Sequence, residues 1–227
     1  MNDRRTAPLA ILFDLDGTLI DSYQLYLEAY GRALEPFLGR RPGREEIAAR
    51  RPSAERLFLE EWVGEEHAVA CHDALCRHYT ELQGALGEGV YEGVPEMLVA
   101  LSTAGYALGI VTGKGRRIWE ITRPLLPAEL FRVVVTEDDV DHPKPDPSGL
   151  RLAAGALEVE PARTVYVGDS HSDLAAARAA GALSGAALWA KTDPADRASF
   201  LSALEAEPAD FTFISPADLT RRFARWC

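Results

Sequence analysis

An apolar run that stops on two carboxylates, Ile11-Leu12-Phe13-Asp14-Leu15-Asp16-Gly17-Thr18-Leu19, constrains this chain more than any other segment. The run reads as a buried strand, and Gly17 lets the backbone turn directly after it. In an open α/β sheet, ligands bind in the crevice beyond the carboxyl ends of the strands, so Asp14 and Asp16 stand where chemistry is done. Two acids this close repel when both are ionised. A divalent cation, a shared proton, or both resolve that conflict. A strand running into an Asp-rich turn is the bland alternative, and the rest of the chain decides between them.

Beyond this loop, strand-like and helix-like runs alternate, with one exception. From Asp21 to about Glu88 there is no convincing strand. Asp21 and Ser22 are candidate caps for a helix carrying Leu25, Tyr26, Ala29, Tyr30, Ala33, Leu34 and Phe37 at three- and four-residue spacing. Gly39 to Gly43 interrupts it, Arg44 to Arg51 reads as a short polar helix, and Ser53 as the cap of a third helix through Trp62. Glu65 to Leu82 carries Ala68, His72, Leu75, Tyr79 and Leu82 on one stripe. Strands are then expected at Tyr106–Val111, Val133–Val135, Thr164–Val167, Leu183–Trp189 and Phe211–Ile214. Helices are expected after Pro95 and Arg116, over Leu150–Leu157 and over the alanine-rich Leu174–Ala180. The fold class that follows is α/β, a doubly wound (Rossmann-like) parallel sheet core with an inserted all-helical cap domain. Residues 1–20 and 89–227 form the core in this reading and residues 21–88 the cap.

Bulk properties exclude several partners. A net charge of −11 opposes binding to nucleic acid or to an anionic membrane surface, each of which requires a basic face. No apolar run reaches the ~20 residues that a membrane span needs, and Met1 to Pro8 holds no signal-peptide core. Cys71, Cys76 and Cys227 are too few to read as a disulfide framework. A cytoplasmic location and a monomer or homodimer are the expectation. His67 with Cys71, and His72 with Cys76, share helix faces, but structural zinc wants four converging ligands and no matching set exists elsewhere, so packing is the expected role. The tryptophans are expected in the core or at hinges.

Chemistry also gathers at the other strand ends. Thr112 and Gly113 follow Gly109-Ile110-Val111, where a hydroxyl and backbone N–H groups can bind a phosphoryl oxygen. Lys144 lies between two prolines in His142-Pro143-Lys144-Pro145, an extended setting that suits a fixed positive charge. It is one of only three lysines, with Lys114 and Lys191. Val165-Tyr166-Val167-Gly168 runs into Asp169, and Asp173 follows four residues later at a helix start. Carboxylates there can supply one direct and one outer contact to a hard cation, while Asp173 also caps its helix.

These four elements, in this order, resemble the haloacid dehalogenase-like hydrolase superfamily, and the resemblance covers the whole core. Within it, the Asp-x-Asp-Gly-Thr loop and helical cap are similar to the phosphoglycolate phosphatase group. The resemblance implies that Asp14 is the nucleophile, forming an aspartyl-phosphate, and that Asp16 is the acid and base. It implies Mg²⁺ held by the Asp14 side chain, the Asp16 carbonyl and Asp169, with Asp173 orienting bound water. Thr112, Gly113 and Lys144 would hold the phosphoryl oxygens. His171 has no fixed role in the pattern and is expected to line the entrance.

The second acid, Asp16, favours phosphoester cleavage over halide displacement, since a halide needs no proton. Absence of membrane spans argues against a transport ATPase. The insertion contains no lysine, which removes the Schiff-base chemistry of phosphonoacetaldehyde hydrolases and counts mildly against a β-phosphoglucomutase-type sugar-phosphate mutase. Pyrophosphatase and nucleotidase remain as substrate variants, and a catalytically silent binding protein is the least favoured reading. A small phosphorylated metabolite is the expected partner, because a closing cap encloses the substrate. Arg40, Arg41, Arg44, Arg50, Arg51 and Arg56 crowd one segment near Glu45, Glu46 and Glu55. Most are expected on a solvated face, with Arg50, Arg51 and Ser53 as candidates for binding a second anionic group.

Overall fold

The computed structural model describes residues 7–50, 54–86 and 89–224. The chain opens with β1 (Ala10–Phe13) and the two-residue strand β2 (Ile20–Asp21). Four helices follow: α1 (Tyr23–Leu38), α2 (Arg44–Ala49), α3 (Glu55–Val63) and α4 (Glu65–Leu82). β3 (Gly89–Val90) leads back into α5 (Val94–Thr103), β4 (Ala107–Val111), α6 (Arg116–Thr122), β5 (Phe131–Val135), α7 (Ser148–Ala156) and β6 (Thr164–Gly168). The chain then runs through α8 (His171–Ala180), β7 (Leu183–Ala187), α9 (Pro194–Ala206), β8 (Phe211–Phe213) and α10 (Pro216–Phe223).

Six strands form one parallel sheet in the order β5-β4-β1-β6-β7-β8. The central strands are buried on both faces, which is why they read as continuous apolar runs rather than alternating ones. Alternate residues of β1 serve opposite layers. Ile11 and Phe13 pack with Leu98, Leu101 and Leu219 on one side, while Leu12 packs with Leu150, Ala153 and Ala177 on the other. The order reverses at β1: the chain fills one side of it with β4 and β5, then the other with β6, β7 and β8. The crevice beyond β1, β4 and β6 is therefore the switch point at which such sheets bind ligands.

Helices α1 to α4 build a separate hydrophobic cluster. Leu25, Tyr30 and Leu34 of α1 meet Phe58 and Leu59 of α3 and Cys71, Leu75 and Tyr79 of α4. Ile118 of α6 joins the same cluster, so the helix after β4 is the point where the helical layer leans on the sheet.

Several local expectations change. Asp21 belongs to β2, which pairs antiparallel with β3 to form a ribbon at the junction, too short to announce itself in sequence. Ser22 precedes α1 but caps nothing; its hydroxyl donates to the Asp16 carboxylate instead. α9 and α10 were not expected. α9 buries only Phe200 and so shows no apolar stripe. α10 opens with a capping box, Ser215 and Asp218 each bonding the other's backbone N–H. Among the described residues, no helix is long and apolar enough to cross a membrane.

Candidate active site

Asp14 leaves the end of β1 with its N–H bonded to the Val167 carbonyl at 2.9 Å, so the sheet itself fixes where its side chain emerges. The next residues turn tightly: the Leu15 carbonyl accepts N–H bonds from Leu19 at 2.9 Å and Ile20 at 3.0 Å. Gly17 sits in this turn at φ +72°, and a Cβ there would lie 2.5 Å from an Asp169 oxygen. Only glycine meets both demands.

Lys144 is buried and its Nζ donates to Asp14 Oδ1 at 2.7 Å, Asp173 Oδ1 at 2.7 Å and the Tyr166 hydroxyl at 3.1 Å. Tyr166, in turn, donates to the Val111 carbonyl at 2.8 Å. The other Asp173 oxygen takes the Ser170 hydroxyl at 2.5 Å and the Ser170 N–H at 3.0 Å, closing the cap of α8. Asp173 is thus held on both oxygens, and through it Lys144 is aimed at Asp14. Asp169 is paired with Lys191 at 2.6 Å, and Lys191 also lies 3.3 Å from Asp196. Thr112 is buried where β4 ends, its N–H on the Val135 carbonyl and its hydroxyl oxygen accepting the Lys114 N–H at 3.2 Å.

Burial pushes the Asp14 carboxyl well above the usual range. Lys144 opposes the shift, and Asp173 and Asp169 add to it. Asp169 moves the same way by burial, partly offset by Lys191. Burial would raise Asp173 too, but Lys144, Ser170 and Tyr166 together hold it below its ordinary value. Asp14, Asp169 and Asp173 each offer a carboxylate oxygen, and these atoms all lie within 4.8 Å of one another. An all-oxygen set of this size suits a hard divalent cation.

The model of the haloacid dehalogenase-like hydrolase family matches residues 11–187, a span that contains every one of these strand-end residues. The chain belongs to the haloacid dehalogenase-like hydrolases. Pyrophosphatase PpaX of Bacillus velezensis is 36% identical over 192 residues, covering 83% of this chain and 86% of the relative. A solved structure from Lactobacillus plantarum, proposed as a phosphoglycolate phosphatase, superposes with a TM-score of 0.79 at 24% identity, over 96% of this chain and all of that one. CbbY from Rhodobacter sphaeroides, solved in complex with phosphate, superposes with a TM-score of 0.77 at 24% identity, over 93% and 96% of the two chains.

In this hydrolase the Asp16 side chain does not join the three clustered acids. It points toward the helical layer, taking the Ser22 hydroxyl and lying 3.3 Å from Lys114 Nζ. Lys114 is buried, 3.7 Å from Glu55 Oε1, and sits over the Tyr79 ring at 4.7 Å. Gly113 offers its carbonyl to the Glu55 N–H at 3.3 Å. Arg50 is exposed and spends its guanidinium on Trp62, 3.8 Å from the ring centroid, and on Glu61 at 3.3 Å. Arg51 and Ser53 lie outside the described residues. His171 rests against Phe200, and Trp189 donates to the Thr18 carbonyl at 2.8 Å, bracing the turn after Asp16. Cys71 meets the Ala33 carbonyl and Cys76 meets His72, with no metal-ligand set around either among the described residues.

Sequence reasoning missed Tyr166, Lys114, Lys191, Ser22 and Glu55. Tyr166 did carry a signal: a phenol inside an otherwise apolar, buried strand must find polar partners. So did lysine scarcity, because all three lysines of the chain end on these acids.

Proposed function

We propose that this hydrolase cleaves small organic phosphate monoesters in a Mg²⁺-dependent reaction through an aspartyl-phosphate on Asp14. The observation that carries the reading is the fixed geometry around Asp14, with Lys144 at 2.7 Å, Thr112 at the neighbouring strand end and Asp16 two residues along, beside Lys114.

Asp14 attacks phosphorus in line, and the bond to the leaving oxygen breaks as the new P–O bond forms. Asp16 gives its proton to that leaving oxygen. It then takes a proton from the water that attacks the aspartyl-phosphate, which returns Asp14 and releases phosphate. Lys144 and the Thr112 hydroxyl hold the equatorial oxygens, where charge accumulates in the transition state. Asp14 and Asp169 would hold the cation, with Asp173 at its outer side. Bound there, a cation would supply positive charge to offset that of the nucleophile and the phosphoryl group.

The relatives point to phosphate chemistry without fixing the ester: a pyrophosphatase by sequence, a proposed phosphoglycolate phosphatase and the phosphate-binding CbbY by fold. The sequence resemblance to the phosphoglycolate phosphatase group makes that ester the first to assay. The test is phosphate release with and without Mg²⁺ across phosphoglycolate, pyrophosphate, nucleoside monophosphates and sugar phosphates. Trapping of a phosphoryl group on Asp14 by acid quench and mass spectrometry accompanies it. Release that needs Mg²⁺ and a phosphorylated Asp14 support the reading. Phosphate migration within a hexose phosphate without net release would replace it with a mutase.

A further inference from the structure

Lys191 comes from the loop between β7 and α9 and lays its ammonium on a member of the acidic cluster. Its Nζ donates to Asp169 Oδ2 at 2.6 Å and lies 3.3 Å from Oδ2 of Asp196, in the first turn of α9. Burial works against the ammonium, but Asp169 and then Asp196 outweigh it and hold its pKa above the ordinary lysine value. Lys191 is therefore a cation at neutral pH. Its backbone is held in a turn, with the N–H on the Leu188 carbonyl at 3.2 Å, so movement is left to the flexible side chain.

The two lysines on the cluster are held differently. Lys144 is enclosed by buried groups, with Asp14 and Asp173 both at 2.7 Å and Tyr166 at 3.1 Å. Lys191 has one partner inside the cluster and one outside it, on the partly exposed Asp196. Asp169 is poorly placed to serve two cations at once. Its carboxylate is pressed against Gly17, where a Cβ would come within 2.5 Å of Oδ2 and 2.8 Å of Oδ1, so it has no room to turn toward that side. An ammonium and a divalent cation on this one carboxylate repel each other and compete for it.

Resting on the reading that Asp14 and Asp169 hold a divalent cation, we infer that Lys191 is an internal competitor for that cation. It pairs with Asp169 at low cation concentration and passes to Asp196, already within reach, as the cation is taken up. Lys191 thus lowers the metal affinity of the site, and Asp196 restores part of it. Together they set the cation concentration at which the hydrolase loads, and below that concentration Asp169 keeps a partner.

The experiment titrates the protein with Mg²⁺ by isothermal calorimetry, without substrate, for the intact chain, Lys191→Met, Asp196→Asn and the double variant. Lys191→Met is expected to tighten Mg²⁺ binding by roughly tenfold, since no ammonium has to be displaced. Asp196→Asn is expected to weaken binding by roughly threefold, since the displaced ammonium loses its second acceptor. In the double variant the effect of Asp196→Asn should vanish, leaving the affinity of Lys191→Met alone. Unchanged or weaker binding in Lys191→Met with native circular dichroism overturns the inference, because Lys191 would then only orient Asp169. Additive effects in the double variant overturn it too, because Asp196 would then act on the cation without Lys191. Should Lys191→Met fail to fold, Asp196→Asn decides alone, and binding as tight as in the intact chain counts against the inference. Absence of Mg²⁺ binding in all four proteins defeats the cation reading itself, whereas binding in the wrong order defeats only this one.

Discussion

Lys144 and Lys114 are both buried ammoniums, each facing two carboxylates, yet they are held in different ways. Lys144 meets Asp14 and Asp173 at 2.7 Å, and these two arise at a strand end and at a helix start packed on the same sheet. Lys114 meets Asp16 at 3.3 Å and Glu55 at 3.7 Å, and Glu55 belongs to the helical layer. The first arrangement lies within one packed body. The second depends on two hydrophobic clusters staying in register, and it leaves a buried oxygen unserved. Steps common to all phosphate esters need a preformed charge array. Discrimination among leaving groups is better placed where contacts can adjust or remain open.

The largest expected effect tests the rigid side. Asp14→Asn should lower kcat by roughly 10³-fold or more while leaving the fold intact, because the nucleophile is lost and its shape is kept. Phosphate release and circular dichroism measure the two halves of that statement. Residual turnover close to that of the intact protein would move the nucleophile elsewhere.

Lys144→Met and Lys114→Met probe the contrast directly. Removing Lys144 leaves Asp14 and Asp173 facing one another in a buried setting, and breaking such a pair costs about 3–5 kcal/mol. Its kcat should fall by about 10²–10³-fold as well. Removing Lys114 strands Glu55 at an edge that water can reach if the helices part slightly, so the loss of stability should be nearer 1–2 kcal/mol. Urea denaturation of the two variants gives the comparison. Equal losses would mean that the helical layer is as firmly fixed as the sheet.

The legibility of the two regions in sequence differs for the same reason. Asp14, Thr112, Lys144, Asp169 and Asp173 follow strand ends, and parallel strands deliver their ends to one edge whatever the details of packing. A strand-by-strand reading therefore finds them. Lys114, Lys191, Ser22 and Glu55 owe their partners to chain crossings that no local pattern encodes. Glu55 looks like one acid among the arginines of its segment, and only the docking of α3 on Gly113 and Gly115 makes it special. The same holds for Arg50: a basic cluster suggests anion binding, but Trp62 and Glu61 on the next helix claim its guanidinium. Short elements such as β2 and β3 escape because two residues carry no period.

The smallest predicted effect reads the pH response of the interface. Glu137 follows β5 and accepts the Arg56 N–H through both oxygens, at 3.2 and 3.1 Å. Burial pushes its carboxyl up to about 7, with the charges of Glu55 and Asp138 adding to the rise and the Arg56 N–H and His72 opposing it. The folded protein therefore holds a proton here that the unfolded chain, with a carboxyl near 4.5, has released. Stability contributed by this group should rise as pH falls from about 7 toward 4.5, and should be least above pH 7. Glu137→Gln imitates the protonated form, so at pH 8 it should stabilise the protein by about 1–2 kcal/mol, a figure reduced from the full shift because the side chain is only partly buried. In urea titrations from pH 4.5 to 8 the difference between the two proteins should close at the acid end. A difference that does not depend on pH would mean that Glu137 stays ionised at its place between sheet and helices, and that the interface tolerates the extra negative charge.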